Sequence, residues 1–194
     1  MRHYLKLILL LAVVALCPGV MGNAYAQDLK DIIKKNPGRS PEWIAETAKQ
    51  PVAEVVKQLV AGYRVPIAPS KFDEVWLKLT TWENPLLITI VAGTVIEVHS
   101  KIPKGSYAQG FFNLEDGAPL TGHFRPDNIK AIYVIEEPSR EGGVARQVAF
   151  FDAEGKRVFG IFVDRKESGG EHYPGTLAQF KELQAFYSKQ ALGS

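Results

Sequence analysis

The sequence predicts an α+β fold with N-terminal helices, one large antiparallel β-sheet and a C-terminal helix packed on that sheet. Three patterns predict it: capped helical segments before residue 69, β-branched and aromatic runs from Pro85 to Val163, and a helical apolar repeat after residue 176. The chain has 194 residues, of which 46% are apolar and 23% charged. That composition is typical of globular proteins and excludes a collagen-like, disordered or disulfide-stabilised chain.

Residues 1–26 have the pattern of a secretory signal peptide. Arg2 and Lys6 form a positive segment, an apolar run of 11 residues extends from Leu7 to Cys17, and Ala24-Tyr25-Ala26 fits a signal-peptidase site. Such a run is too short for a bilayer-spanning helix, which needs about 20 residues. We therefore expect cleavage before Gln27 and a periplasmic or otherwise exported mature protein without stable membrane insertion.

The mature chain carries no net charge and no cysteine. Subtracting Arg2 and Lys6 from the 23 basic residues leaves 21, which equals the 21 acidic residues. A neutral chain lacks the positive field that holds a polyphosphate, so a nucleic-acid partner is not expected. Because Cys17 lies in the leader, thiol catalysis and cysteine-based metal sites are excluded as well.

Residues 27–69 are expected to form a helix pair and a linker. Ser40-Pro41 supplies an N-cap and a first-turn proline for a helix that extends through Lys49. A second helix begins at Pro51 and ends at Gly62, and the prolines that follow, beginning with Pro66, indicate a linker.

Residues 70–194 are expected to form the main α+β domain, in one structural unit with residues 27–69. Ser70-Lys71-Phe72-Asp73 has the Ser-x-x-Asp form of an N-terminal helix cap. The helix that follows has an apolar face at helical spacing, formed by Phe72, Val75, Trp76 and Leu79.

Seven strands and a final helix are predicted after this helix. The strands are Leu86–Val91, Thr94–Val98, Tyr107–Leu114, Leu120–Arg125, Ile129–Glu137, Val144–Phe151 and Arg157–Val163. Asp116-Gly117 and Asp152 to Gly155 are typical of hairpin turns, which favours an antiparallel meander. The final helix has one apolar face, made of Leu177, Phe180, Leu183 and either Phe186 or Tyr187.

His123 is the histidine with the most informative surroundings. Side chains two residues apart in a strand share a face, so Thr121, His123 and Arg125 are expected together. An imidazole beside a guanidinium suits an anionic ligand that carries a metal, although a structural histidine beside a surface arginine gives the same pattern. The other two histidines of the mature chain, His99 and His172, are expected to be an exposed strand-end residue and a solvated loop residue.

Gly110-Phe111-Phe112 places two adjacent aromatic residues after a flexible glycine. In a strand the two rings point to opposite faces, so one ring belongs to the core. The other is then available to cover a planar ligand or a partner surface.

Five stretches in the same order and with similar spacing resemble the ChuX/HutX family of haem-utilisation carrier proteins. They are Phe72 to Trp76, Gly110 to Leu114, Gly122-His123, Phe150 to Gly155 and Ile161 to Arg165. The resemblance covers about residues 28–187. It implies a HemS/ChuX-like fold and a homodimer that binds haem as cargo and passes it to a haem-receiving or haem-processing protein.

The same resemblance implies roles for individual residues. His123 would bind the haem iron, and the loop Gly110-Phe111-Phe112 would take part in uptake and hand-over. Arg125, or Lys101 and Lys104, would pair with the haem propionates.

The second axial ligand stays open. Some relatives have a second histidine where this chain has Ile90, and Ile90 cannot bind iron. Tyr107 or Tyr133 would then supply a phenolate ligand.

Two other functions remain as alternatives to a non-enzymatic carrier. One is a haem-degrading or haem-modifying enzyme of the HemS type. The other is a non-haem homodimeric interaction module, in which Phe111 and Phe112 would belong to the protein interface.

Overall fold

The computed structural model describes residues 29–59, 63–117, 119–139 and 143–192. The predicted signal peptide, residues 1–26, and the predicted helix-ending Gly62 lie outside these ranges. Within them, no helix is long and apolar enough to cross a membrane.

Five helices lie within the described ranges. The described part of α1 covers residues 29–35, and the others are α2 (Pro41–Ala48), α3 (Val52–Gln58), α4 (Phe72–Leu79) and α5 (Pro174–Leu192). The predicted cap of α2 is confirmed, because the Ser40 side chain accepts a hydrogen bond from the Trp43 backbone N at 3.3 Å. The predicted cap of α4 is wrong: Pro69–Lys71 forms a 3₁₀ turn, and Lys71 is the N-cap residue without a side-chain bond.

Within the described residues, nine strands form two separate sheets. They are β1 (Arg64–Ile67), β2 (Pro85–Val91), β3 (Thr94–His99), β4 (Gly105–Ala108), β5 (Phe111–Leu114), β6 (His123–Phe124), β7 (Ala131–Pro138), β8 (Val144–Phe151) and β9 (Arg157–Val163). The large sheet has the order β1-β7-β8-β9-β2-β3, and the small sheet has the order β4-β5-β6. All pairs are antiparallel, which confirms the α+β class with a large antiparallel sheet and a C-terminal helix.

The strand order departs from a simple meander, because β2 pairs with β9. The predicted linker at Pro66 is wrong, since Pro66 lies within β1. Proline lacks a backbone N–H and is tolerated there because β1 is an edge strand that pairs with β7 alone.

The predicted single strand Tyr107–Leu114 is divided into β4 and β5 by a tight hairpin turn. Gln109 and Gly110 occupy the turn with φ angles of 53° and 78°. Two consecutive positive φ angles are those of a type I′ turn, whose twist matches that of the flanking strands. This turn creates the small sheet, and it places Phe111 at the first position of β5.

An aromatic cluster joins the small sheet, α4 and the large sheet. Phe112 of β5 has its ring centroid 5.4 Å from Phe72 and 5.7 Å from Trp76 in α4. On the large sheet, Phe150 and Phe159 lie 4.5 Å apart and contact the same helix. The small sheet is therefore held on one face of the large sheet by aromatic packing.

The last helix extends this core. Phe180, Leu183 and Tyr187 are buried, and Phe186 is 40% exposed, so the fourth position of the predicted apolar face is Tyr187. The helix start is fixed to the sheet by the Asn84 backbone N, which donates to Thr176 Oγ1 at 2.9 Å.

Candidate functional site

The outer face of the small sheet brings together the residues that the sequence singled out. In β5 the alternate residues Phe112 and Leu114 point into the core, so Phe111 and Asn113 point outward. His123 pairs with Asn113 across β5 and β6 and therefore shares the outward face. This face, with Phe111, Asn113, His123 and the following Arg125, is called the His123 face below.

Asn113 fixes the orientation of the His123 ring. The Asn113 Nδ2 lies 3.4, 3.0 and 3.1 Å from the carbonyl oxygens of Ser106, Ala108 and Phe111, so the amide nitrogen must face them. The amide oxygen then accepts a hydrogen bond of 2.6 Å from His123 Nδ1. With the hydrogen on Nδ1, a neutral imidazole has its lone pair on Nε2, which is the atom that binds metal ions.

Phe111 lies between the imidazole and a cation. The ring centroids of Phe111 and His123 are 6.1 Å apart at 67°, and the Arg125 guanidinium carbon lies 4.3 Å from the Phe111 centroid. His123 and Arg125 are both exposed. The expectation that His123 and Arg125 share a face is confirmed. The Phe111 ring lies between the two side chains and is next to both.

Phe112 does not belong to this face. It is 5% exposed and forms edge-to-face contacts with Phe72 and Trp76. Of the two adjacent aromatic residues, Phe112 is the core residue and Phe111 is the one available to a ligand. Gly110 contributes the positive φ of the turn rather than a side chain.

The two tyrosines proposed as second ligands lie elsewhere. Tyr133 is 8% exposed and packs with Ala53 and Phe151 on the opposite face of the large sheet, so its assignment to the same site as His123 is wrong. Tyr107 donates its hydroxyl hydrogen to Asp73 Oδ1 at 2.6 Å. Desolvation and this bond raise the pKa of Tyr107 to about 12, which disfavours a phenolate.

The lysines proposed as propionate partners are also separated from His123. Lys101 Nζ donates to the Trp82 carbonyl oxygen at 3.1 Å. Lys104 precedes β4, which lies on the other side of β5 from His123. Arg125 is therefore the better placed cation of the three.

Ile90 lies on the far face of the large sheet. Leu87 points into the core under the small sheet, so Ile90, three positions along β2, points the other way. A histidine at position 90 would not approach His123 within one chain. The described residues contain no group of three or more His, Cys, Asp or Glu side chains that would hold a bare metal ion.

The other two histidines among the described residues, His99 and His172, have defined partners. His99 is exposed, as expected, but its Nδ1 lies 2.8 Å from Asp164 Oδ2. The expectation of a solvated His172 is wrong, because Nδ1 lies 3.0 Å from the Val163 carbonyl oxygen and Nε2 lies 2.9 Å from that of Val144. The composition of the loop does not indicate that His172 forms hydrogen bonds to the strands of the sheet.

The chain is similar to known proteins over most of its length. It is 28% identical over 160 residues to the intracellular haem transport protein HutX of Vibrio cholerae serotype O1 (strain ATCC 39315 / El Tor Inaba N16961), covering 81% of each chain. A solved structure from Agrobacterium tumefaciens is 26% identical with a TM-score of 0.78, covering 91% of this chain and 99% of that one. The haem-binding protein ChuX is 27% identical with a TM-score of 0.71, covering 81% and 97%.

A more distant structure supports the fold alone. The haem-degrading enzyme ChuS of Escherichia coli O157:H7 is 12% identical with a TM-score of 0.64, covering 81% of this chain and 47% of that one. The HemS/ChuX-like fold implied by the sequence is thereby confirmed, and identity this low carries no activity across.

One expectation is overturned by these comparisons. The periplasmic or exported location inferred from residues 1–26 is wrong, because the relative that matches 81% of the chain is named an intracellular protein.

The family identification itself is confirmed. The family model described as haem utilisation ChuX/HutX matches residues 65–183. The chain therefore belongs to the ChuX/HutX family of haem-utilisation proteins.

Proposed function

We propose that this protein is a haem carrier, which binds haem as cargo on the His123 face and hands it over to a second protein. The observation that carries the proposal is the hydrogen bond from His123 Nδ1 to Asn113 Oδ1, which leaves the lone pair of the neutral ring on Nε2. A single axial histidine is a common way to hold haem iron. The names of the relatives HutX and ChuX, as haem transport and haem-binding proteins, agree with it.

The surroundings of His123 suit the rest of the haem molecule. Phe111 presents a half-buried ring beside the imidazole and would pack against the macrocycle. Arg125 would pair with a propionate, because a guanidinium binds a carboxylate through two parallel hydrogen bonds. Both His123 and Arg125 are exposed, which favours transfer to a partner over permanent retention.

The test is a hemin titration of the full-length protein, followed by absorbance across the Soret band. We expect a saturable, shifted band in the wild type and a changed band in His123→Ala. Thr121→Ala is the matched control, since Thr121 is exposed and two residues away from His123. A wild-type spectrum equal to that of free hemin would overturn the proposal, and a shifted band that His123→Ala leaves unchanged would remove His123 as the ligand.

A carrier is favoured over a haem-degrading enzyme. The groups around His123 are an amide, a phenyl ring and a guanidinium, on Asn113, Phe111 and Arg125. None of these three groups exchanges a proton readily at neutral pH, so among the described residues they supply no general acid or base for oxygen activation. Incubation of the haem complex with a reductant in air tests this, because a carrier keeps its Soret band and an enzyme loses it with turnover.

The interaction-module alternative loses part of its support. It assigns both Phe111 and Phe112 to a protein interface, but Phe112 is 5% exposed and lies in the aromatic core. A substitution of Phe112 would therefore change stability rather than association.

We propose a homodimer, as the family resemblance implies. The β2–β3 hairpin supports it, since Val91 of β2 is 61% exposed and Ile96 of β3, the open edge strand of the large sheet, is 48% exposed. Ile96→Lys should then produce a monomer in light scattering, while Lys156→Ala serves as a control away from this edge. A wild-type monomer would contradict the proposal.

We also propose that residues 27–69 and 70–194 form one structural unit. Ala53 of α3 donates its backbone N–H to the Gly155 carbonyl oxygen at 3.0 Å, and it packs with Ala149 and Phe151 of β8. A single cooperative unfolding transition by two spectroscopic probes would support this arrangement.

A further inference from the structure

The Arg125 guanidinium covers the ring of Phe111 on the His123 face. The guanidinium carbon lies 4.3 Å from the Phe111 centroid, within the distance at which an aromatic ring attracts a cation. Arg125 is exposed and Phe111 is half-buried, so the guanidinium lies on the solvent side of the ring. A ligand that approaches Phe111 from solvent therefore meets Arg125 first.

The contact with Phe111 is a weak hold on the guanidinium. Among the residues that the structure describes, the Arg125 side chain forms no hydrogen bond and no ion pair. A guanidinium has five N–H donors, and none of them has an acceptor in those residues. Because a cation over an aromatic ring at an exposed site is held only weakly, a carboxylate of a ligand competes successfully for this group.

The backbone of Arg125 is fixed, whereas its side chain can change rotamer. The 3₁₀ turn Pro126–Asn128 follows directly, and the Arg125 carbonyl oxygen accepts a hydrogen bond from the Asn128 backbone N at 2.9 Å. A proline also restricts the backbone of the residue before it. Exposed side chains change rotamer in picoseconds to nanoseconds, so the guanidinium can move without any rearrangement of the small sheet.

Haem requires two arrangements of these side chains that the observed geometry does not combine. With the iron on His123 Nε2, the macrocycle packs on the aromatic ring beside the imidazole, and the Phe111 and His123 centroids are 6.1 Å apart. That packing uses the solvent side of the Phe111 ring, which the Arg125 guanidinium occupies. A propionate requires the guanidinium at the rim of the macrocycle. Pairing with a propionate and uncovering of the Phe111 ring are therefore a single movement of Arg125.

We propose that Arg125 moves between the Phe111 ring and a carboxylate of the ligand, and so makes the His123 face selective for porphyrins with free propionates. The inference rests on the proposed function, because it takes haem as the ligand of this face. A porphyrin with free carboxylates attracts the guanidinium away from the ring and then packs on it. A porphyrin with esterified carboxylates cannot attract the guanidinium, and its packing on Phe111 displaces the cation without a compensating ion pair.

The test compares hemin with hemin dimethyl ester, in which both propionates are neutral esters. Soret titrations of the full-length wild type and of Arg125→Ala give the affinity for each compound. For hemin, Arg125→Ala loses a charge-assisted pair and should bind about 3–30-fold more weakly. For the ester, the variant loses only the cation that covers the ring and should bind about two- to fivefold more tightly.

Lys130→Ala is the matched control for the loss of a positive charge. Lys130 is exposed, and its Nζ donates to the Asp127 carbonyl oxygen. Both affinities of this variant should stay close to those of the wild type. A loss of net charge or of local stability would change the two affinities in the same direction, whereas the proposal expects opposite directions in Arg125→Ala.

A second measurement needs no ligand. Protons above an aromatic ring are shifted upfield in NMR spectra by the ring current. We expect this shift for the Arg125 side-chain protons of the haem-free wild type, and its loss in Phe111→Leu. A haem-free spectrum without the shift would overturn the proposal, because Arg125 would not cover the ring.

The outcomes separate this proposal from the proposed function. An ester affinity that Arg125→Ala lowers or leaves unchanged overturns the selectivity, while loss of hemin affinity in His123→Ala retains the His123 face. Hemin affinities that neither Arg125→Ala nor His123→Ala changes overturn both, since the ligand then lies elsewhere. No hemin binding by the wild type also overturns both.

Discussion

Replacing Asn113 by alanine should weaken haem binding although Asn113 does not touch the iron. The substitution removes the oxygen that accepts the 2.6 Å hydrogen bond from His123 Nδ1. The imidazole can then rotate and carry its hydrogen on Nε2, which occupies the lone pair that the iron needs. Loss of such a supporting partner typically reduces affinity about 10–100-fold, equivalent to about 1.4–2.8 kcal/mol.

The same substitution also has a local structural cost. The Asn113 amide nitrogen lies within 3.4 Å of the Ser106, Ala108 and Phe111 carbonyl oxygens and joins both strands of the β4–β5 hairpin. A hydrogen bond of this kind contributes about 0.5–1.5 kcal/mol to folding. A small fall in unfolding temperature is therefore expected, and affinities should be compared well below it.

A double-mutant cycle with His123→Ala decides whether Asn113 acts through the histidine. Hemin affinity is measured by Soret titration for the wild type, Asn113→Ala, His123→Ala and the double variant. If Asn113 acts by orienting His123, the double variant binds no more weakly than His123→Ala alone. Additive losses, or an Asn113→Ala affinity within twofold of the wild type, would refute the reasoning.

Three further changes test other parts of the structure. Burial raises the pKa of Glu137 from its ordinary 4.5 to about 8, although Gln147 donates a bond to it and the Arg157 guanidinium lies 3.8 Å away. Between these pH values the folded protein keeps a proton that the unfolded chain loses. The free energy of unfolding should therefore fall by up to about 1.4 kcal/mol per pH unit as the pH rises from about 4.5 to about 8. Urea unfolding of Glu137→Gln should lack this pH dependence; an unchanged dependence would show that Glu137 is not its source. Trp76→Ala removes a side chain that is 2% exposed and should cost about 3–5 kcal/mol in the same assay, whereas a loss below 1 kcal/mol would argue against the aromatic cluster as the core. Tyr107→Phe should leave the spectrum of bound hemin unchanged, because the raised pKa keeps this hydroxyl protonated; a shifted band would restore Tyr107 as a ligand.

Periodic patterns in the sequence determine much of the fold. The apolar spacing of Phe72, Val75, Trp76 and Leu79 predicts the face of α4 that is buried, and the turn from Asp152 to Gly155 lies where its glycine predicts. Such features depend on residues a few positions apart, so the local sequence contains the necessary information. The local sequence does not predict the division of Tyr107–Leu114 into two strands, because a positive φ such as that of Gln109 is unusual for a residue other than glycine.

The composition of the candidate site was determined only in part by the sequence. Side chains alternate between the two faces of a strand. This alternation places His123 and Arg125 on one face and makes one of the two adjacent phenylalanines a core residue. The choice of Phe111 as the outward ring depends on the packing of Phe112 against α4, which no local pattern contains.

Contacts between strands were decided by the tertiary structure alone. Asn113 meets His123 because of the register between β5 and β6, and His99 meets Asp164 across 65 positions of the chain. Ligand chemistry alone places Tyr133 in the site of His123, but β7 directs Tyr133 to the opposite face of the large sheet. Alternation along a strand gives the relative faces of its own residues, whereas the core that each face covers and the partner strand beside it depend on how the whole chain packs.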